Sequence, residues 1–419
     1  MNYNRKPRPS GWGGGRIPFK KRQKVISRGT SEDKGGFMQT LAGRVLFQFY
    51  YDIGGEISME KLNLSELTVI RKAQPKSVRV LAPKFEEAGL KPVAIDFGVK
   101  KVENINFNVE AKVYPIGVVE VTLSLDFKNS SFEDIIRLVN MSEGFVRLEG
   151  KEVEFEKIPG EYFRTLQSRI QKALVYPYEP YDQPEVYRVV IISSIEPKLR
   201  AEEFLSRFRK QIAGVLRGEK SWEKLSEKEI EDVLRFQLSY SEDEAIVVDW
   251  YSSLIFGGEE YVDEILQTIE IAKIQLLELK TYDKLLDKRI EKAYGSLRSV
   301  FVHSGVGIAW LSKTYAELSR TASDLAELRI EVVDYVHDLR NILKFTGDWY
   351  LGKLYSALGE RFRIMEWLNL VDKKLEQLQE LYSMAMERVD VYRAMSLEFL
   401  VMLLIISLVV LEVFMVIRL

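Results

Sequence analysis

The stretch MSLEFLVMLLIISLVVLEVFMVIRL, residues 395–419, decides the architecture of this chain. From Leu397 to Ile417 it contains sixteen Leu, Ile, Val or Phe residues. Their preference for hydrocarbon, about −0.3 to −0.6 kcal/mol each, outweighs the roughly 3 kcal/mol that one ionised carboxylate costs. About 20 apolar residues cross the ~30 Å hydrocarbon core of a bilayer. The stretch therefore predicts one transmembrane helix, residues 394–417, as in a tail-anchored protein; a buried core helix is the alternative.

A series of apolar or small residues leads into this segment, and we call it the apolar seam. Its members alternate at steps of four and three, as in a coiled coil, and no Pro or Gly interrupts them. The pattern predicts a continuous helix about 80 Å long that serves as a stalk and self-associates. The members of the seam are Ile364, Leu368, Val371, Leu375, Leu378, Tyr382, Ala385, Val389 and Tyr392.

Three polar residues interrupt the apolar run and are candidate intramembrane or assembly residues. These are Glu398, Ser407 and Glu412. The two carboxylates lie fourteen residues apart, which places them within about 40° on one helical face. A carboxylate in hydrocarbon indicates a function by default, such as a hydrogen bond to another span or a pore lining. The alternative is that Glu412 is protonated or reaches the far interface.

Composition limits the chemistry that this chain can perform. Its 419 residues are 46% hydrophobic and 29% charged, which is typical of a folded protein. There is no cysteine, which excludes disulfides, thiolate zinc sites and a cysteine nucleophile. The histidines are His303 and His337, too few for an imidazole metal cage. We expect no cofactor.

Charge is distributed unevenly along the sequence. Residues 1–36 contain ten Lys or Arg against Glu32 and Asp33, a net charge of +8, and the rest of the chain carries −10. These residues are also rich in Gly and Pro and are predicted to be disordered. The candidate partners of this tail are RNA or the ribosome, or an anionic lipid surface; the alternative is an arm that only increases solubility. Its candidate contact residues are Arg5, Lys6, Arg8, Lys20, Lys21, Arg22 and Lys24.

The rest of the sequence predicts an α+β fold with a mixed α/β domain at residues 37–257. A helical bundle or coiled-coil-like stalk follows at 258–393, before the transmembrane helix. Alternating residues predict a strand pair at 109–113 and 119–127, and a hairpin at 145–155 that turns near Glu149. Further predictions are a capping box that starts at Ser130, a helix at 226–240 and a strand at 245–255.

No motif of an active site occurs in this sequence. The phosphate-binding loop, the dinucleotide fingerprint and the H-E-x-x-H zinc motif are all absent. We therefore expect a protein that is not an enzyme. A weaker alternative is an enzyme with a carboxylate-only metal site, for which the acidic cluster at Ser241–Glu244 and Asp249 are the candidates.

The end of the chain resembles the meiotic-nuclear-division (RMND, Rmd-like) family of uncharacterised membrane-anchored proteins. The resemblance covers residues 314–419 and rests on Leu375-x-x-Leu378-x-x-Leu381, on Leu397-Glu398-Phe399 and on Leu411-Glu412-Val413-Phe414. Phe399 stands where that family tends to have Trp. The resemblance implies an oligomeric membrane-anchored protein without established catalytic residues, and one mitochondrial inner-membrane member is associated with organellar translation.

These observations lead to two main functional hypotheses. The first is a non-enzymatic, homo-oligomeric scaffold anchored in a lipid bilayer. The second is a subunit of a cation channel or transporter, because an α/β domain joined by long helices to a membrane segment resembles the layout of CorA-like magnesium channels. Lys and Arg before the span favour a cytoplasmic location for the large domain. A prokaryotic plasma membrane is favoured over the mitochondrial inner membrane.

Overall fold

The computed structural model describes residues 39–62, 64, 68–70, 91–175, 177–257, 261–302 and 349–418, with scattered positions between 316 and 333. The strands are β1 Thr40–Asp52, β2 Glu56–Ile57, β3 Thr68–Ile70, β4 Val93–Val102, β5 Ile105–Val113, β6 Val118–Ser130, β7 Phe145–Leu148, β8 Lys151–Glu154, β9 Leu174–Val175, β10 Glu185–Glu196, β11 Phe236–Leu238, β12 Ala245–Val248 and β13 Ser252–Phe256. The α-helices are α1 Phe132–Val139, α2 Lys157–Ile170, α3 Ala201–Arg207, α4 Arg209–Arg217, α5 Glu227–Val233, α6 Val262–Val302, α7 Trp349–Arg361 and α8 Ile364–Arg418.

A nine-stranded sheet organises the described part of the chain. Its order is β11-β12-β13-β10-β1-β6-β5-β4-β3. Neighbouring strands are antiparallel except for β10 and β13, which run parallel. The predicted strand pair is confirmed, because Val109 lies opposite Leu123 and Val113 opposite Val119. The fold class is confirmed as α+β, followed by helices and one long apolar helix.

The two faces of the sheet are covered by different helices. Strand residues alternate between the faces, so Phe47 of β1 lies in the cluster that packs against α1–α5, and Tyr50 lies in the cluster of α6–α8. Buried residues of β1, β10, α6, α7 and α8 therefore form one continuous hydrophobic cluster. The domain boundaries expected from the sequence stay predictions.

Helices α6 and α8 run parallel to each other on the second face. Lys273 lies 4.9 Å from the centre of the Phe362 ring, and Lys280 lies 5.7 Å from that of Trp367. Farther along, Lys374 pairs with Asp283 at 2.6 Å. Residue numbers thus rise together on both helices, and α6 accompanies α8 toward its apolar end.

Some local predictions were correct and others were wrong. The hairpin of β7 and β8 is confirmed, with Glu149 at φ 51° and Gly150 at φ 83° in its turn. The capping box starts one residue later than predicted, because the side chain of Ser131 accepts from the Asp134 backbone and Asp134 accepts in return. The predicted helix 226–240 ends at Val233 and is followed by β11.

The predicted strand 245–255 is interrupted by a turn and forms the two strands β12 and β13. Asp249 lies in that turn, where its backbone N–H donates to the Ser252 carbonyl at 2.8 Å. An apolar run of this length is also what two short buried strands produce, since every position of both strands is buried.

Candidate functional site

The apolar end of α8, residues 395–417, is the feature of the structure that most directly indicates a function. All of its side chains are exposed, although nearly all are apolar. At 1.5 Å per residue, residues 397–417 are about 31 Å long, the thickness of a bilayer core. Among the described residues, α8 is the one helix that is long and apolar enough to cross a membrane.

The three polar residues predicted as intramembrane or assembly residues do not share one face. Glu398 and Glu412 lie within about 40° of each other, whereas Ser407 lies about 180° from Glu398 on the helical wheel. The Ser407 hydroxyl donates to the carbonyl of Leu404 at 2.8 Å, within the same helix. The two carboxylates thus share one helical face but lie about 21 Å apart along the helix axis, and Ser407 lies on the opposite face.

The first part of the apolar seam is buried inside the chain. Ile364, Leu368, Val371, Leu375, Leu378 and Ala385 are buried, and Tyr382 is half-buried. They belong to the hydrophobic cluster that includes α6, and Lys374 beside them pairs with Asp283 and Asp287. These positions therefore have their partner within one chain. The side chains of Val389 and Tyr392 lie outside the described residues.

A different face of α8 remains exposed along its second half, and we call it the carboxylate face. Its residues repeat every seven positions, and all are exposed. A second exposed row lies four residues after Val391, Glu398 and Ile405. It contains Met395, Met402 and Val409. This spacing is that of a coiled-coil seam. The carboxylate face consists of Met384, Val391, Glu398, Ile405 and Glu412.

Asp249, the residue expected in a carboxylate-metal site, is fully buried in an ion-pair network. It contacts Arg361 of α7, and it pairs with Arg217 of α4 at 3.0 Å. The same two arginines contact Asp232 at 3.0 and 3.1 Å. Two guanidinium groups already neutralise these carboxylates, so the arrangement joins α4, α5 and α7. In the described part of the chain, no three His, Cys, Asp or Glu residues are grouped to hold a metal ion.

An open groove of about 910 Å³ lies beside the edge strand β11. Arg200 and Glu242 line it and pair at 2.8 Å. Its lining contains both positively and negatively charged side chains. None of the lining residues belongs to the ion-pair network of Asp249. It shows no convergence of catalytic groups.

The sequence was also compared with known proteins. Residues 42–262 match the family described as "Uncharacterized protein MJ0711, N-terminal domain". The chain belongs to this family. A relative from Methanocaldococcus jannaschii, "Uncharacterized protein MJ0711", is 23% identical over 301 residues, which are 72% of this chain and 80% of the relative. No solved structure matches significantly.

The matched region of the MJ0711 family runs from β1 to the first residue of α6. It contains the sheet and α1–α5, and the apolar end of α8 lies beyond it. Neither match is to the meiotic-nuclear-division family, so the resemblance to that family over residues 314–419 stays a prediction.

Several predicted residues lie outside the described part of the chain. These include the candidate contacts of the basic tail, Arg5, Lys6, Arg8, Lys20, Lys21, Arg22 and Lys24, and both histidines, His303 and His337. Sequence reasoning missed the ion pairs that join Arg217, Asp232 and Arg361 to Asp249. No local pattern indicates them, because Arg361 of α7 is more than a hundred residues away from its two partners.

Proposed function

We propose that this chain is a tail-anchored, single-pass membrane protein that acts as a non-enzymatic scaffold. The observation that carries the proposal is the apolar end of α8, which extends as an exposed helix with apolar residues on all sides. A soluble monomer rarely exposes an apolar surface of this extent. A bilayer removes that surface from water, and all backbone groups of the segment are satisfied within the helix.

Helix α6 supports the proposal by stiffening the connection between the sheet and the membrane. The first part of α8 packs on α6 along the apolar seam, and Lys374 links the two helices through Asp283 and Asp287 at 2.6 and 2.7 Å. The sheet is thus held by two parallel helices above the apolar end. Lys374, Arg388 and Arg393 precede the span, and by the positive-inside rule they favour a cytoplasmic large domain. In this proposal the membrane is a prokaryotic plasma membrane.

The scaffold assembles, in this proposal, through the carboxylate face of a second copy of the same chain. A second copy in parallel brings its Glu412 to the same depth as the first, so the two carboxyl side chains can form a hydrogen bond with each other. Such polar pairs stabilise helix association in membranes by about 0.6 to 2 kcal/mol. The exposed Met384 and Val391 extend the same face out of the membrane.

The basic tail, in the same proposal, attaches the scaffold to a polyanion. Binding of the full chain to RNA and to vesicles with anionic lipid is compared between wild type and a variant with all seven candidate tail residues changed to Gln. We expect binding that weakens with salt in wild type and is lost in the variant. Equal binding by both proteins removes this part of the proposal.

Membrane anchoring is tested with the full-length chain expressed in bacteria. Leu404→Arg together with Leu408→Arg costs about 5 to 7 kcal/mol of insertion free energy, at roughly 2.5–3.5 kcal/mol for each arginine. We expect wild type to remain in the membrane pellet after alkaline extraction and the double variant to be released. Met384→Arg, outside the apolar end, is the matched control and should remain in the pellet. Release of wild type would contradict membrane anchoring.

A further inference from the structure

A cluster of ionisable side chains is enclosed between the sheet and α6, away from the apolar end. Glu270 of α6 faces three side chains of the sheet region. They are Lys112 of β5, Glu120 of β6 and Tyr114, which lies between these two strands. Tyr114, Glu120 and Glu270 are buried, and Lys112 is partly exposed. Neither the membrane anchor nor the stalk requires these charges, and burying ionised groups is costly unless each is paired.

If both carboxyls of this cluster are ionised, the cluster has one proton fewer than its hydrogen bonds require. The Tyr114 hydroxyl oxygen lies 3.1 Å from Glu120 Oε2 and 3.0 Å from Glu270 Oε2. A hydroxyl donates one proton, so two ionised carboxylates cannot both accept from it. If one carboxyl is protonated, it donates to the tyrosine oxygen and the tyrosine donates to the other carboxylate. Both short contacts are then hydrogen bonds.

The charges lead to the same conclusion. Lys112 contacts Glu270 and lies 3.7 Å from Glu120, so one cation serves two carboxylates and leaves an excess charge of −1 in the interior. One bound proton makes the cluster neutral. Burial and the neighbouring Glu120 charge raise the pKa of Glu270 to about 7, against the opposing effect of Lys112.

The proton is placed on Glu270 by the neighbours of Glu120. Gln48 and Thr122 donate to Glu120 Oε1 at 3.0 and 2.7 Å, so this carboxyl already accepts two hydrogen bonds. Burial raises the pKa of the two tyrosines that face the cluster, Tyr50 of β1 and Tyr187 of β10. Glu110 adds negative charge near Lys112.

We propose that the Lys112–Glu120–Glu270–Tyr114 cluster binds one proton and thereby acts as a pH-sensitive contact between the sheet and α6. With the proton bound, all four groups are satisfied and α6 is held against β5 and β6. Without it, two carboxylates repel each other in a dry interior and the contact weakens. Because α6 supports α8, this links cytoplasmic pH to the stiffness of the stalk.

The sign of the pH dependence follows from proton linkage. Glu270 in the folded chain binds its proton more tightly than in the unfolded chain, where an ordinary glutamate releases it near pH 4.5. The stabilisation is therefore complete below about pH 4.5 and is lost as the pH rises through about 7.

The test measures the protonated carboxyl directly by infrared spectroscopy of the full-length chain in detergent micelles, titrated from about pH 5 to pH 9. All samples, including the reference called wild type below, carry Glu398→Gln and Glu412→Gln, so that the carboxyls of the apolar end add no band. We expect a protonated-carboxyl band that disappears with a midpoint near pH 7 in wild type and is missing in Glu270→Gln. In Glu120→Gln the band is also missing at neutral pH, because Lys112 then neutralises the remaining carboxylate. In Lys112→Met the midpoint moves to higher pH.

Glu185→Gln is the matched control, since Glu185 is largely buried beside α6. Although burial opposes ionisation there, Lys273 and Lys280 lower the pKa of Glu185, so this variant should leave the band unchanged. A wild-type band absent at about pH 6, or one that persists in both Glu270→Gln and Glu120→Gln, would overturn the proposal. If Lys112→Met does not fold, the two glutamine variants still decide the outcome.

Hydrogen exchange tests the structural consequence in the same samples. We expect amides of α6 between Ile265 and Gln275 to exchange faster above the midpoint in wild type, after correction for intrinsic base catalysis. In Glu270→Gln their protection should not change with pH. Equal pH dependence in both proteins would show that the proton does not control the contact.

Discussion

In the first part of α8, residues 364–385, the side chains of the apolar seam are packed against α6, whereas in the apolar end, residues 395–417, every side chain is exposed. The heptad pattern is continuous across both parts. They differ on the remaining faces of the helix, where charged residues such as Glu366, Lys373 and Glu376 surround the first part and apolar residues surround the second. A seam on an otherwise charged helix indicates a protein partner, and apolarity on all sides indicates lipid.

The largest expected effect comes from placing a charge in each part. Leu378→Asp places an unpaired carboxylate in a fully buried site, and we expect loss of the folded bundle, more than about 5 kcal/mol of unfolding free energy. Leu403→Asp, in the apolar end, should leave the bundle folded and weaken insertion by about 3 kcal/mol. Denaturant unfolding monitored by tryptophan fluorescence separates the two results. Equal destabilisation by both variants would contradict the comparison.

The next largest effect is expected in the ion-pair network of Asp249, Arg217 and Arg361. Asp249→Ala leaves Arg361 and Arg217 with one carboxylate fewer in a buried site, and we expect a loss of about 3–5 kcal/mol in unfolding free energy. Asp126→Ala is the control, because the Asp126–Arg44 pair is exposed and should contribute at most about 1 kcal/mol. A small effect of Asp249→Ala would mean that α7 is not held by this network.

A smaller effect is expected between α6 and α8. Lys374→Met removes the partner of the half-buried Asp283, and we expect about 1–3 kcal/mol of destabilisation in thermal or denaturant unfolding. Lys373→Met, next to it on the exposed face, should change stability by less than about 0.5 kcal/mol. If both variants change the stability equally, the Lys374–Asp283 ion pair does not stabilise the contact between α6 and α8.

The smallest effect concerns association within the membrane. Glu412→Ala should weaken self-association by about 1–2 kcal/mol, measured by sedimentation in detergent, whereas Glu412→Gln retains a hydrogen-bonding side chain and most of the affinity. Val410→Ala, on another face, is the control. A wild-type monomer would remove the oligomer proposal. Cation flux in liposomes that Glu412→Gln abolishes would favour the channel hypothesis instead.

The sequence predicts those parts of the fold that local patterns determine. Alternation identifies β5 and β6, and composition identifies the apolar end. The turn at Asp249 was missed because both strands around it are buried on two faces and read as one apolar run. The location of the seam partner was also missed, since periodicity identifies a buried face and gives no information on whether the same chain or another one covers it.

The candidate site was predictable only in part. Glu398 and Glu412 stand out because carboxylates are rare in apolar runs. The cluster of Lys112, Glu120 and Glu270 could not be predicted, because its members come from two strands and a helix that meet only in the folded chain. Their charges look like ordinary surface charges until burial is known.

The central claim, that one helix changes from a protein interior to a lipid environment, is tested most directly by cysteine labelling in native membranes. The chain contains no cysteine, so Leu378→Cys, Ser383→Cys and Leu404→Cys each introduce a single thiol. Ser383 is exposed and lies outside both the apolar seam and the carboxylate face. With a membrane-impermeant maleimide on inside-out vesicles, we expect Ser383→Cys to react and the other two to be protected. Urea should expose Leu378→Cys and leave Leu404→Cys protected until the bilayer is dissolved. Reaction of Leu404→Cys as fast as Ser383→Cys in intact vesicles would contradict the claim.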